Sequence, residues 1–197
     1  MQEDYQAREQ KLWQISEKIL LKIWKDRVSS IERDYEGKGL SYENEFIEEM
    51  HKLLMRWEER YGCQNKNLKY IIISPLNSGV ITRSYEMQVA LFDEKLYADE
   101  NPMCFYWVPE FLYKEVERDM NRYEEEASKE IIRLRKYEVN EIRRRYVLCH
   151  AYISMFFLDK AVKRLTELPV WERLRSEDIK ILYGTYMEKM VEIGREG

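Results

Sequence analysis

The chain has 197 residues, 33 basic and 37 acidic, with a formal net charge of −4. That balance excludes a general attraction to nucleic acid or anionic membrane, so binding of either kind needs a local basic patch. Cys63, Cys104 and Cys149 are widely spaced and odd in number, which excludes a disulfide scaffold or a metal knuckle and reads as reduced thiols of a cytoplasmic protein.

The start, Met1-Gln2-Glu3-Asp4, is acidic and does not read as a signal peptide. No apolar run approaches the ~20 residues of a membrane span. Only 7 Gly and 4 Pro interrupt a chain that is 36% charged, which favours long helices with solvated faces.

Residues 5–34 carry Leu12, Ile15, Ile19, Ile23 and Ile31 at helical spacing, with Trp13, Leu20 and Trp24 beside them. Gly37 and Gly39 read as its stop and Ser41 as a new N-cap. A second helix then runs to Tyr61 through Phe46, Ile47, Met50, Leu53, Leu54 and Trp57, predicting an N-terminal helix pair over 5–61.

The period changes at Tyr70-Ile71-Ile72-Ile73, a β-branched run too short for a helix. Asn77-Ser78-Gly79 reads as a hairpin turn, Ile81 to Phe92 as a half-buried strand, and Met103 to Val108 as another, with Leu96-Tyr97 a short piece between. A three- to four-stranded antiparallel meander over 68–108 follows.

Pro109-Glu110 opens a helical section that has no Gly or Pro as far as Leu168. Its apolar phase slips between Leu134 and Ile142, predicting a break near 135–141. Ser176-Glu177-Asp178 reads as the cap of a last helix carrying Ile179, Ile181, Leu182, Tyr186, Met190 and Val191. The whole reads as one domain over 1–197, α+β and predominantly helical: a helix pair, a small antiparallel meander, and long C-terminal helices over 109–193.

No catalytic, cofactor or metal constellation emerges. Glu48 and His51 stand i, i+3 on a helix, but the second half of a di-metal site is missing, because Val147 precedes His150 at that spacing. Cys149 and His150 are adjacent and diverge by about 100° on a helix, so they do not pair as nucleophile and base. Cys149 falls between Tyr146 and Ile153 on the apolar stripe and reads as a buried thiol, as does Cys104 on its strand. Cys63, past a helix end, reads as exposed.

Two stretches could bind something. Around the expected hairpin, Asn77, Ser78, Thr82, Arg83, Tyr85 and Glu86 could gather about an anion or small ligand. Between Lys129 and Arg145, seven bases against three acids give a local charge of +4. There Lys129, Arg133, Lys136, Arg143 and Arg144 could track a phosphate backbone. The favoured reading is that they pair with an acidic stripe, such as the preceding Glu110–Glu126 stretch, whose seven acids and three bases give −4, or with a second subunit.

Long charged helices of opposite sign and 26 aromatic residues (15 Tyr, 6 Phe, 5 Trp) offer material for protein surfaces. The sequence therefore points to a non-enzymatic interaction or regulatory protein of the bacterial cytosol, binding a protein partner or its own copy and no membrane. Nucleic-acid binding through 129–145 is one alternative. A small-molecule sensor or enzyme, with a pocket between sheet and helices, is the other.

Overall fold

A computed structural model describes residues 2–63, 66–99, 101–174, 179–185 and 187–194, with side chains from residue 6 onward. The chain divides into two compact units: Met1–Gly37 with Glu110–His150, and Lys38–Pro109 with Ala151–Gly197.

One helix, α1 (Gln2–Tyr61, 60 residues), contributes to both units and replaces the expected helix pair. Glycine inside a helix costs only about 1 kcal/mol relative to alanine. Two glycines without a proline therefore do not stop a helix whose packing stripe continues. Here it does continue: Leu12, Ser16, Ile19, Ile23, Arg27 and Ile31 lead through half-buried Tyr35 and buried Gly39 to Glu43, Phe46, Met50, Leu53, Trp57 and Tyr61. Ser41 lies in mid-helix and caps nothing.

The first unit is helical. Besides the start of α1 it holds α3 (Glu110–Tyr113), α4 (Val116–Glu130) and the first half of α5 (Lys136–Leu165). The interruption expected near 135–141 lies earlier, at residues 131–135, where Arg133 takes a left-handed φ of 56°, and residues 136–141 are already helical. The inner face of α4, namely Val116, Met120, Tyr123 and Ala127, is fully buried at i, i+4, i+7, i+11 spacing.

The second unit holds a five-stranded mixed sheet of order β3-β2-β1-β4-β5. β1 (Tyr70–Pro75), β2 (Met87–Phe92) and β3 (Met103–Trp107) form an antiparallel meander, in register Ile72↔Ala90 and Val89↔Phe105. It meets the expectation in part: β2 begins at Met87 rather than Ile81 and is mostly buried rather than half-buried. On its other edge β1 pairs in parallel with β4 (Lys180–Gly184), which pairs antiparallel with β5 (Met190–Glu192).

These last strands replace the expected C-terminal helix; its proposed cap, Ser176–Asp178, lies outside the described residues. The period there is two, since Ile179, Ile181 and Tyr183 are the buried positions. A Cβ on Gly184 would stand 2.7 Å from Lys189 O, so the β4–β5 turn requires glycine.

Because β1 is central, Ile71, Ile72 and Ile73 are all buried, which explains their unbroken apolar run. One sheet face packs Ile72, Ala90 and Phe92 with Tyr70, Cys104, Leu182 and Met190. On the other, Phe46 of α1 meets Trp107 at 5.0 Å between ring centres.

Two expected details differ. Asn77–Thr82 is a short helix (α2), not a hairpin turn, and Ile81 on it is 84% exposed. Leu96–Ala98 is a single 3-10 turn, not strand. α6 (Pro169–Arg173) follows Leu168 with proline at its start. Among the described residues no helix is long and apolar enough to cross a membrane.

Candidate functional site

The chemistry worth testing lies in the first unit, in two neighbouring places. The first is a buried polar cluster. Arg27 on α1 donates to both oxygens of Asp119 on α4, each at 2.7 Å, and Tyr146 on α5 donates to Asp119 Oδ2 at 2.6 Å. Arg27, Asp119 and Tyr146 are all buried, and Glu115 adds a weaker contact to Arg27 at 3.8 Å.

The bonds to Asp119 raise the guanidinium pKa further. Burial first, then the carboxylate it faces, lifts the Tyr146 phenol far above its usual range. Tyr146 is therefore a permanent donor, neither base nor nucleophile. Ser16 and Tyr123 share a 2.7 Å bond, and burial pushes that phenol up too.

His150 completes this cluster. Its Nδ1 lies 3.1 Å from Tyr146 O, so the carbonyl assigns the proton to Nδ1 and leaves Nε2 bare, and Nε2 has no partner among the described residues. Trp24, Tyr113 and Tyr146 enclose the ring at 4.8–5.7 Å between ring centres. Burial takes its pKa down to about 4, against the weaker opposing effects of Tyr146 O and Asp119. Apart from His150 Nε2, which is fully buried, every strong group here is spoken for, so the cluster holds helices together and exposes no nucleophile or base.

The second place is an apolar groove of about 410 Å³ running over the cluster. Trp13, Leu20, Leu21 and Trp24 of α1 form one wall, and Arg145, Tyr146 and Cys149 of α5 the other. Leu21 is 53% exposed. The Arg145 guanidinium sits 3.4 Å above the Trp13 ring centre and bonds Glu141 at 3.2 Å.

Cys149, read from the sequence as buried, is exposed. Its stripe position is taken by His150. The desolvating groove walls push the thiol pKa up, so nothing activates it. Cys104 is half-buried on the sheet and Cys63 is exposed. Glu48 and His51 form no metal site, and no metal-competent cluster occurs among the described residues.

The basic stretch is divided. Arg143 is buried against Glu117 at 3.2 Å and Asn140 at 2.9 Å, and Arg144 reaches Glu141 at 3.9 Å. Lys129, Arg133 and Lys136 are exposed and form no ion pair with the described residues.

They surround the α4–α5 corner, which Arg8 of α1 clamps. Its guanidinium takes Glu138 through two 3.0 Å bonds and donates to Ile132 O (3.3 Å) and Arg133 O (3.1 Å). Glu138 also accepts the Arg135 N–H at 2.7 Å. Burial opposes the charge on Glu138, but these donors outweigh it and hold the carboxyl below its usual range.

In the second unit the candidate loop is turned on itself. Thr82 Oγ1 donates to Ser78 O at 3.0 Å, Ser84 Oγ donates to Glu86 at 3.1 Å, and Tyr85 is buried. Arg83 caps α2 with a left-handed φ of 63°, and Asn77 stands exposed at its first position. None of these six residues lines the groove.

The sequence reading missed Leu21, Arg145 and Arg8 as site residues and used Trp13 and Trp24 only as core. The available signal was that Trp13, Leu20, Leu21 and Trp24 widen the α1 stripe beyond what one neighbour covers. No protein-family model, curated protein or solved structure matches the chain.

Proposed function

We propose that the protein acts by non-covalent recognition of a protein partner through the groove of its first unit. The observation that carries this reading is the contrast within that unit. Its reactive side chains are closed on one another, while two indoles and two leucines line an accessible cleft rimmed by Arg145 and Glu17. Such a cleft takes aliphatic or aromatic anchors and offers no group for bond making.

A photo-crosslinking amino acid at Leu21 tests it in cells. Discrete protein adducts at position 21, absent when the group is placed at exposed His51, support the reading. No adducts, or the same set from both positions, end it.

A second reading is nucleic-acid binding at the α4–α5 corner. It is favoured by the exposure of Lys129, Arg133 and Lys136, which make no ion pair with the described residues. Three phosphate contacts predict log K falling with log salt at a slope of about −3. Reversal of all three charges should abolish the binding, and absence of duplex or single-strand binding at low salt removes this alternative.

A further inference from the structure

We infer that the groove is filled by the α4–α5 corner of a second copy of this chain, in a two-fold dimer whose axis passes near Trp13. This rests on the groove being a recognition surface, and it names the occupant.

The corner has the form of an anchor. Ile132 at its tip is 83% exposed, although it is aliphatic and sits on a short loop. That loop is not slack: Arg8 grips the carbonyls of Ile132 and Arg133, and Glu138 grips both Arg8 and the Arg135 N–H. An apolar side chain presented on a braced loop loses little freedom when it docks.

The charges match. Exposed Arg133 follows Ile132, with Lys129 and Lys136 close in sequence and Glu130 the one acid between those two lysines. The groove that would take the isoleucine has exposed Glu17 on its lip, while the base on that lip, Arg145, is held by Glu141 at 3.2 Å. A cavity of about 290 Å³ that shares Trp13 with it adds exposed Glu9, its Glu138 being taken by Arg8 and its Glu141 by Arg144 and Arg145.

The spacing also matches. Arg8 holds the corner beside the early part of α1, whereas the groove is centred between Trp13 and Trp24. Ten residues of helix separate the two levels, about 15 Å at a rise of ~1.5 Å per residue. A two-fold axis across α1 midway, near Trp13, brings the corner of each copy level with the groove of the other. The contact is then made twice and closes, leaving neither anchor nor groove bare. Ile132 enters between Trp13 and Trp24, and Arg133 meets Glu17 of the second copy.

Cys149 on the groove wall gives a direct test. In full-length protein carrying Cys63→Ser and Ile132→Cys, mild oxidation with copper phenanthroline should join position 132 of one copy to Cys149 of the other. Peptide mapping identifies the link, and Cys149→Ser should abolish it. A bond within one chain is excluded, because Cys149 lies about 20 Å along α5 from its start and a disulfide spans under ~7 Å between Cα atoms.

Sedimentation of otherwise unaltered protein gives the second arm. Wild type should be dimeric, Arg133→Glu should weaken the dimer about tenfold or more, and Glu17→Arg added to it should restore most of the loss. A wild type that stays monomeric at about 100 μM overturns the proposal. So does a dimer indifferent to both charge reversals and lacking the 132–149 link. If adducts at position 21 are then with another protein, only the occupant is wrong; if there are none, the groove reading falls with it.

Discussion

The two units differ in the charge they bury. The first buries charge of both signs: Arg27, Asp119, Glu138, Arg143 and His150 are all inside it. The second buries an apolar sheet and, of the charges among its described residues, only acids. Glu43, Asp93 and Asp99 are inside and are answered by half-buried Arg164 and Lys66, while Arg173 meets Glu58 nearer the surface at 2.7 Å.

The difference follows from what sets register in each. Sheet register is enforced by the β1 ladder on both its sides, so generic apolar groups suffice. Helices packed side by side have no such ladder and can slide. A bidentate Arg27–Asp119 pair, completed by Tyr146, is satisfied in one register of α1, α4 and α5 only, since a one-residue slip breaks all three bonds.

That account is most exposed at Asp119. Asp119→Ala strands a buried guanidinium and a buried phenol, and should cost about 3–5 kcal/mol in denaturant unfolding. The triple variant Arg27→Met, Asp119→Leu, Tyr146→Phe removes every partner together and should recover most of that loss. If the triple variant is as unstable as the single one, the cluster is not acting as a matched set.

The equivalent blow to the second unit is apolar. Ile72 packs against Ala90 and Phe92 in the centre of the sheet, and Ile72→Ala should cost about 3 kcal/mol through lost burial and the cavity left. A loss under about 1 kcal/mol would mean that the sheet face closes over the gap and is less rigid than its burial implies.

Much of this contrast escaped the sequence for one reason: polar residues occupy core positions. On α5 the buried series is Ile142, Tyr146, His150, Ser154, Phe157, Ala161. Passing over His150 and Ser154 as surface residues shifts the stripe to Cys149, Ile153 and Phe156, and so makes an exposed cysteine look buried. Arg143 was likewise counted by its charge, although it shares the inner face with Ile142 and Tyr146.

On α1, Ser16 and Arg27 disguise the stripe, and two glycines disguise its continuation. The meander was readable, because no helix accommodates Tyr70–Ile73 in so short a run. The parallel β1–β4 pair was not, since it joins segments more than a hundred residues apart and local pattern carries no record of its partner.

The units should also part in acid. Free histidine titrates near 6.5, whereas His150 titrates at about 4 in the fold. Between those values the unfolded chain binds a proton that the native one refuses, so stability falls as pH is lowered through that window. The expected slope is on the order of 1 kcal/mol per pH unit, levelling below pH ~4. Within the cluster Asp119 opposes this shift and Arg27 reinforces it, both more weakly than burial.

Glu138 and Asp99 act at lower pH. Burial disfavours both carboxylates, but Arg8 for one and Lys66 for the other hold them below the usual range, so their contributions go only under about pH 4. Unfolding midpoints from pH 7 to 4 should slope in wild type and flatten in His150→Phe. An unchanged slope would move the acid response elsewhere.

The smallest effect bears on the place where α1 passes from one unit to the other. Gly37 is exposed, and a Cβ there would meet nothing within 4 Å. Inside a continuous helix, alanine at such a site holds the backbone better than glycine, and Gly37→Ala should stabilise by about 0.5–1 kcal/mol. Had the helix ended there in a left-handed cap, as the glycines by themselves suggested, the methyl group would be strained and the sign would reverse. A modest gain with unchanged or higher helical ellipticity places α1 unbroken across Gly37; a loss restores the helix pair and removes the shared helix from the comparison of the two units.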